Sequence, residues 1–179
     1  HALVVRLRRE TNLEPVPHLT CFGHTRDEIH AILELYAANG VSNVLALRGD
    51  PPGGARILAL GDFSYAADLV GFIKREGERL GVNNGRGFGI GVAGFPEGHS
   101  ETPNTIVQLD HLKAKADAGA DYIVTQLFFD NHAFHDWRAR CELAGVKLPI
   151  MAGIMPVTTA AGLQRMANPF FDHVARQCG

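Results

Sequence analysis

The stretch "LALRGDPPGG" (residues 45–54) decides the fold by where it is apolar and where it stops. Its aliphatic and small residues run straight into Arg48, Gly49 and Asp50, and Pro51, Pro52 and two glycines then end any regular element. A short run that is apolar on both faces reads as a strand of a parallel sheet covered by helices. Its C-terminal end carries a cation, a glycine and a carboxylate. A strand-ending turn accounts for Asp-Pro-Pro without any ligand. An adhesion tripeptide on an exposed loop is another reading, expected only in a secreted, disulfide-framed protein.

The pattern recurs along the chain. "PHLTC" (17–21), "VLALRG" (44–49), "FGIGVAGFP" (88–96), "YIVTQLFF" (122–129) and "IMAGIMPV" (150–157) read as five strands, each followed by a helical pattern. Thr25 and Glu28 form a capping box before Ile29, Ile32, Leu33 and Tyr36, and Gly40 suits the helix end. Ser64 reads as the cap of a helix with Leu69, Val70 and Ile73 inward. A helix from about 104 to 118 turns Ile106, Leu109 and Leu112 inward. Asn131 reads as the cap of a helix carrying Phe134, Trp137 and Cys141, and a last helix is expected from Thr159.

Alternating strands and helices mean an α/β protein, either doubly wound or a (β/α)8 barrel. The dinucleotide fingerprint of a doubly wound fold is absent, because the run "GRGFGIG" (85–91) precedes its strand. Polar residues close every strand instead: His18 and Thr20, Arg48 and Asp50, Glu97 and His99, Gln126 and Asp130, Pro156 and Thr158. In a barrel those ends converge on one site. The barrel is the better reading.

The chain has 179 residues with 46% hydrophobic residues and a net charge of -2, which suits one domain and gives no basic face for nucleic acid or an anionic membrane. Its apolar runs are strand-sized, short of the ~20 residues a membrane span needs. Cys21, Cys141 and Cys178 lack metal or disulfide spacing and read as reduced thiols of a cytoplasmic protein, with no metal site. The opening "HALVVRLRRE" reads as the second half of a helix, so the chain is expected to be a piece of something longer.

"PHLTC", "LALRGDPP", "GFPEGHSE", "KAKADAGADYIVTQLFFD" and "GIMPVT", in that order from His1 to about Met166, resemble methylenetetrahydrofolate reductase. The resemblance implies a (β/α)8 TIM barrel, incomplete here: about five βα units, with the first two strands and the last missing. It implies one domain over 1–179, a partial FAD-binding barrel. It further implies reduction of 5,10-methylenetetrahydrofolate to 5-methyltetrahydrofolate with NADH or NADPH, by ping-pong hydride transfer through the flavin. Expected partners are the folate, the nicotinamide nucleotide and further copies of the chain as a homo-oligomer.

Carried over residue by residue, the resemblance gives His18, Arg48, Gly49 and Asp50 to the flavin, then Tyr65 and Ala66, Phe95, His99 and Lys115. Asp50 is the expected catalytic group and, with Gln126, the folate contact. A glutamine inside an apolar strand would cost ~1–3 kcal/mol if buried without partners, which favours a functional reason for Gln126. Gln108 departs from an aspartate expected at the adenosine end, and Met166 from an aromatic; Asp110 lies on another helical face. The family's general acid and a flavin-side threonine fall before His1. The isolated chain is therefore expected to bind FAD weakly at most and to leave the folate unreduced. The alternative is a truncated, catalytically inactive flavin-binding remnant. A phosphate-binding barrel isomerase would want a glycine-rich loop late in the chain, where "GIMPVTT" has one glycine.

Overall fold

The computed structural model describes residues 1–49, 61–99, 102, 104–154 and 159. Asp50, Pro51, Pro52, Pro156, Thr158, Met166, Cys178 and the body of the helix expected from Thr159 lie outside these residues.

Among the described residues five strands form: β1 (His18–Thr20), β2 (Asn43–Leu47), β3 (Gly89–Gly94), β4 (Tyr122–Thr125) and β5 (Ile150–Met151). All pair in parallel, and their order across the sheet is their order in the chain. A doubly wound sheet reverses direction once, whereas right-handed crossovers in unbroken order put every helix on the same face. The core obeys the second rule. Leu19, Val44, Ala46, Ile90, Val92 and Ile123 alternate onto one face and are buried in a single cluster with residues of the helices. The fold is α/β, an incomplete (β/α)8 barrel; among the described residues β1 and β5 are the edges.

The helices among the described residues are α1 (Ala2–Glu10), α2 (Arg26–Ala38), α3 (Ala66–Arg79), the single turn α4 (Val82–Gly85), α5 (Thr105–Asp117) and α6 (Asn131–Leu143). Ile29, Leu33 and Tyr36 of α2, Leu69, Val70 and Ile73 of α3, and Trp137 and Cys141 of α6 are buried as their spacing predicts. Trp137 lies so close over β3 that a Cβ on Gly94 would come within 2.7 Å of its ring, which explains a glycine in a strand. Ile106 differs from expectation: it is 68% exposed, and α5 turns Leu112 and Leu109 to the core instead.

Two caps also shift by one residue. The cap of α3 is Tyr65, not Ser64, because Asp68 three residues on accepts the Tyr65 N–H at 2.9 Å, and Ser64 has Ala67 at that spacing. The cap of α6 is Asp130, not Asn131: its carboxylate accepts the His132 N–H at 2.7 Å, and a negative charge suits a helix N-terminus. At α2 the capping box is as expected, with Thr25 N–H donating to Glu28 at 2.8 Å and Glu28 N–H to the Thr25 hydroxyl at 3.2 Å.

The strands are shorter than their apolar runs. β4 stops at Thr125, and β5 leaves the ladder after Met151. There the Gly153 N–H donates to the Thr125 hydroxyl at 2.8 Å, which satisfies the buried side chain. His18 opens β1 rather than ending it, opposite the middle of β2.

A candidate site at the strand ends

The face of the sheet turned away from the helices is built in rows of residues paired across neighbouring strands. Above the Asn43–Gly89 pair comes the row His18, Leu45, Gly91 and Tyr122. Tyr122 lies across Gly91, where a Cβ would run into its ring. The next row pairs Thr20 with Leu47 and Ala93 with Val124, which faces Met151. Beyond the strands the ladders run on. The Gln126 N–H donates to the Gly94 carbonyl at 2.7 Å, which sets Gln126 opposite Phe95. The Phe22 N–H donates to the Arg48 carbonyl at 3.1 Å, which sets Phe22 beside Gly49.

Gly49 has a local reason to be glycine. Its φ is +80°, and a Cβ would come within 3.0 Å of Thr20 and 3.3 Å of Phe22. Arg48, exposed, alternates onto the side of Val44 and Ala46, where its charge acts on the Cys21 thiol. Burial, with Asp68 adding to it, pushes that thiol up to about 11, so it is no nucleophile at neutral pH. Tyr65 and Ala66 open α3, with Tyr65 58% exposed and its ring 5.9 Å from that of His111.

Residues 95–99, "FPEGH", fold into a turn in which the Gly98 N–H donates to the Phe95 carbonyl at 3.1 Å. The turn brings His99 back edge-on to Phe95, with ring centroids 4.6 Å apart at 85°. Gln108 holds the next step: its amide donates to the Thr102 carbonyl, and Thr102 N–H donates to His99 at 3.0 Å. An aspartate in place of Gln108 has no proton to give there.

Gln126 differs from expectation. It is exposed, because β4 ends one residue earlier, and its side-chain oxygen accepts the Leu127 N–H at 2.9 Å. No burial penalty marks it. Its register position beside Phe95 is what joins it to the strand ends.

Lys115 sits on the helix side, where its ammonium donates to the Ala93 carbonyl at 2.7 Å. Burial lowers its pKa to about 8 from 10.5. The unfolded chain then binds the extra proton between those values, so stability rises with pH across about 8 to 10.5, and the full cost is present below about 8. Lys115→Met should therefore stabilise the protein at pH 7 by about 2 kcal/mol, after allowance for the lost bond to Ala93. Urea unfolding at pH 7 and pH 10.5 checks this: the gain should shrink at the higher pH, and no gain at pH 7 would count against it.

A groove of about 600 Å³ between α6 and the start of β5, lined by Phe134, Arg138, Glu142 and Ile150 among others, lies at the other end of the strands. The Cys141 thiol beneath α6 is pushed up to about 11 by burial, with Glu142 adding to it.

The family model "Methylenetetrahydrofolate reductase" matches residues 1–171. The chain belongs to the methylenetetrahydrofolate reductase family. It is 43% identical over 170 residues to "Methylenetetrahydrofolate reductase 2" of Saccharomyces cerevisiae, covering 93% of this chain and 27% of that protein. It is 38% identical over 169 residues to "5,10-methylenetetrahydrofolate reductase" of Salmonella typhimurium, covering 94% of this chain and 52% of that protein. "Methylenetetrahydrofolate reductase (NADH) 1" of Arabidopsis thaliana is 40% identical over 174 residues, covering 91% of this chain and 28% of that protein. The chain thus spans about half the length of the bacterial reductase and just over a quarter of the yeast and plant ones.

Proposed function

We propose that the protein carrying this chain reduces 5,10-methylenetetrahydrofolate to 5-methyltetrahydrofolate. FAD, when bound, supplies the hydride relay between NADH or NADPH and the folate in a ping-pong scheme. The observation that supports this best is the row at the strand ends, where Gly49, Phe95 and Gln126 follow the open face in a chain of this family.

The residues fit a flavin by their chemistry. Gly49 presents backbone without a side chain, and Phe95 with His99 makes an aromatic wall 4.6 Å between centroids. Arg48 and Lys115 stand on the helix side of the sheet, and Lys115 already donates to the Ala93 carbonyl, so as cations for anionic oxygens they fit less well than the open-face residues; α3 begins at Tyr65 and Ala66 with its N-terminal amides. His18 lies two rows below on the same face. Asp50 holds the pterin by hydrogen bond and sets the field beside the ring. Gln126, with both donor and acceptor, holds the folate in one half-reaction and the nicotinamide in the other.

The same reading takes 1–179 as one domain of a cytoplasmic protein that self-associates, with no nucleic-acid or membrane partner. Among the described residues no helix is long and apolar enough to cross a membrane. The absorption spectrum of the purified protein is the first test: it should be that of a flavoprotein, and NADH or NADPH should be oxidised when a quinone is the acceptor. A colourless protein that takes up no added FAD would end the reading. A flavoprotein that oxidises neither nucleotide would be the inactive remnant.

A further inference from the structure

A helix N-cap residue has an amide of its own to satisfy, and two helices here do it locally. Thr25 N–H goes to Glu28 and Tyr65 N–H to Asp68, each three residues on. Helix α6 cannot, because Ala133 stands three residues after its cap Asp130. The acceptor comes from another loop. Glu97 Oε1 accepts the Asp130 N–H and the Phe129 N–H, both at 2.7 Å, across more than 30 residues of chain. A carboxylate shared by two amides makes short, charge-assisted bonds of the stronger kind.

The two ends of this strap are significant. Glu97 lies between Phe95 and His99 in the turn after β3. Its partners lie three and four residues beyond Gln126, in the segment that leads from β4 into α6. Above Gln126 the ladder has ended, and the Gly94 carbonyl is the last sheet partner of that segment.

We propose that Glu97 is a positioning residue: it ties the loop after β4 to the loop after β3 and so fixes Gln126 against Phe95. The importance of Gln126 rests on the function proposed above; the strap itself does not. What Glu97 supplies is an acceptor oxygen, so glutamine can replace it and alanine cannot. This assigns the Glu97 carboxylate to holding the two loops together.

Hydrogen exchange on the protein carrying this chain reads the strap without any ligand. Glu97→Ala should speed exchange over residues 126–132 about tenfold, as expected for losing a hydrogen bond to a charged group, and leave β2 and β3 unchanged. Glu97→Gln, which keeps the acceptor oxygen and loses the charge, should fall between the two and nearer the parent. In the folate assay, Glu97→Ala should raise KM for methylenetetrahydrofolate about tenfold with kcat less affected, and Glu97→Gln should restore it. Unchanged exchange over 126–132 in Glu97→Ala overturns the proposal, as does acceleration spread evenly over the sheet. Glu97→Gln behaving like Glu97→Ala overturns the acceptor role. If the parent neither binds nor reduces the folate, the proposed function fails, while the exchange data still decide the strap.

Discussion

Asp50→Asn will leave flavin binding largely intact and slow the folate half-reaction by ~10²–10³, the usual loss for one positioned electrostatic group at a reacting centre. The substitution keeps shape and removes charge. Gly49, at φ +80°, turns the chain where position 50 follows, and Pro51 and Pro52 restrict it from the other side. The nucleotide half-reaction, followed with a quinone acceptor, should change far less, so the ratio of the two rates is the informative quantity. Folate reduction at the parent rate in this variant would remove Asp50 from the mechanism.

Gly153→Ala should destabilise the protein by about 3 kcal/mol, the upper end of what overpacking usually costs. The added Cβ would come within 3 Å of the Thr125 main-chain carbonyl oxygen, and a strand backbone is not a side chain that can swing aside. The same step would push the Gly153 N–H away from the buried Thr125 hydroxyl, which it meets at 2.8 Å. The β4–β5 seam, whose ladder is only two residue pairs long, should open first. Thermal unfolding measures the loss. A melting temperature equal to that of the parent would mean that the seam does not depend on this contact.

What could be read from sequence was mostly what is local. The Thr25–Glu28 box, the buried stripe of α2 and the parallel strands depend on residues a few positions apart, or on alternation within one run. The barrel followed from polar strand ends, and the unbroken strand order bears it out. The strand ends themselves were less legible. An apolar run does not say where pairing stops, so Gln126 looked buried when it is exposed, and His18 looked like an end when it is a beginning. The caps of α3 and α6 turned on which carboxylate reached which amide. The Glu97 strap could not be read at all, since its partners are more than 30 residues away and nothing local marks the pair. A hint existed in Ala133, which left the cap of α6 without a near acceptor.

The central claim is that the strand ends hold a flavin that links a nicotinamide nucleotide to the folate, and one anaerobic experiment tests it most directly. The protein carrying this chain, purified with its flavin, is first bleached by a stoichiometric amount of NADH or NADPH, and methylenetetrahydrofolate is then added alone. The flavin absorbance should return, with 5-methyltetrahydrofolate formed in equal amount. A flavin that bleaches but stays bleached in the presence of the folate would contradict the account.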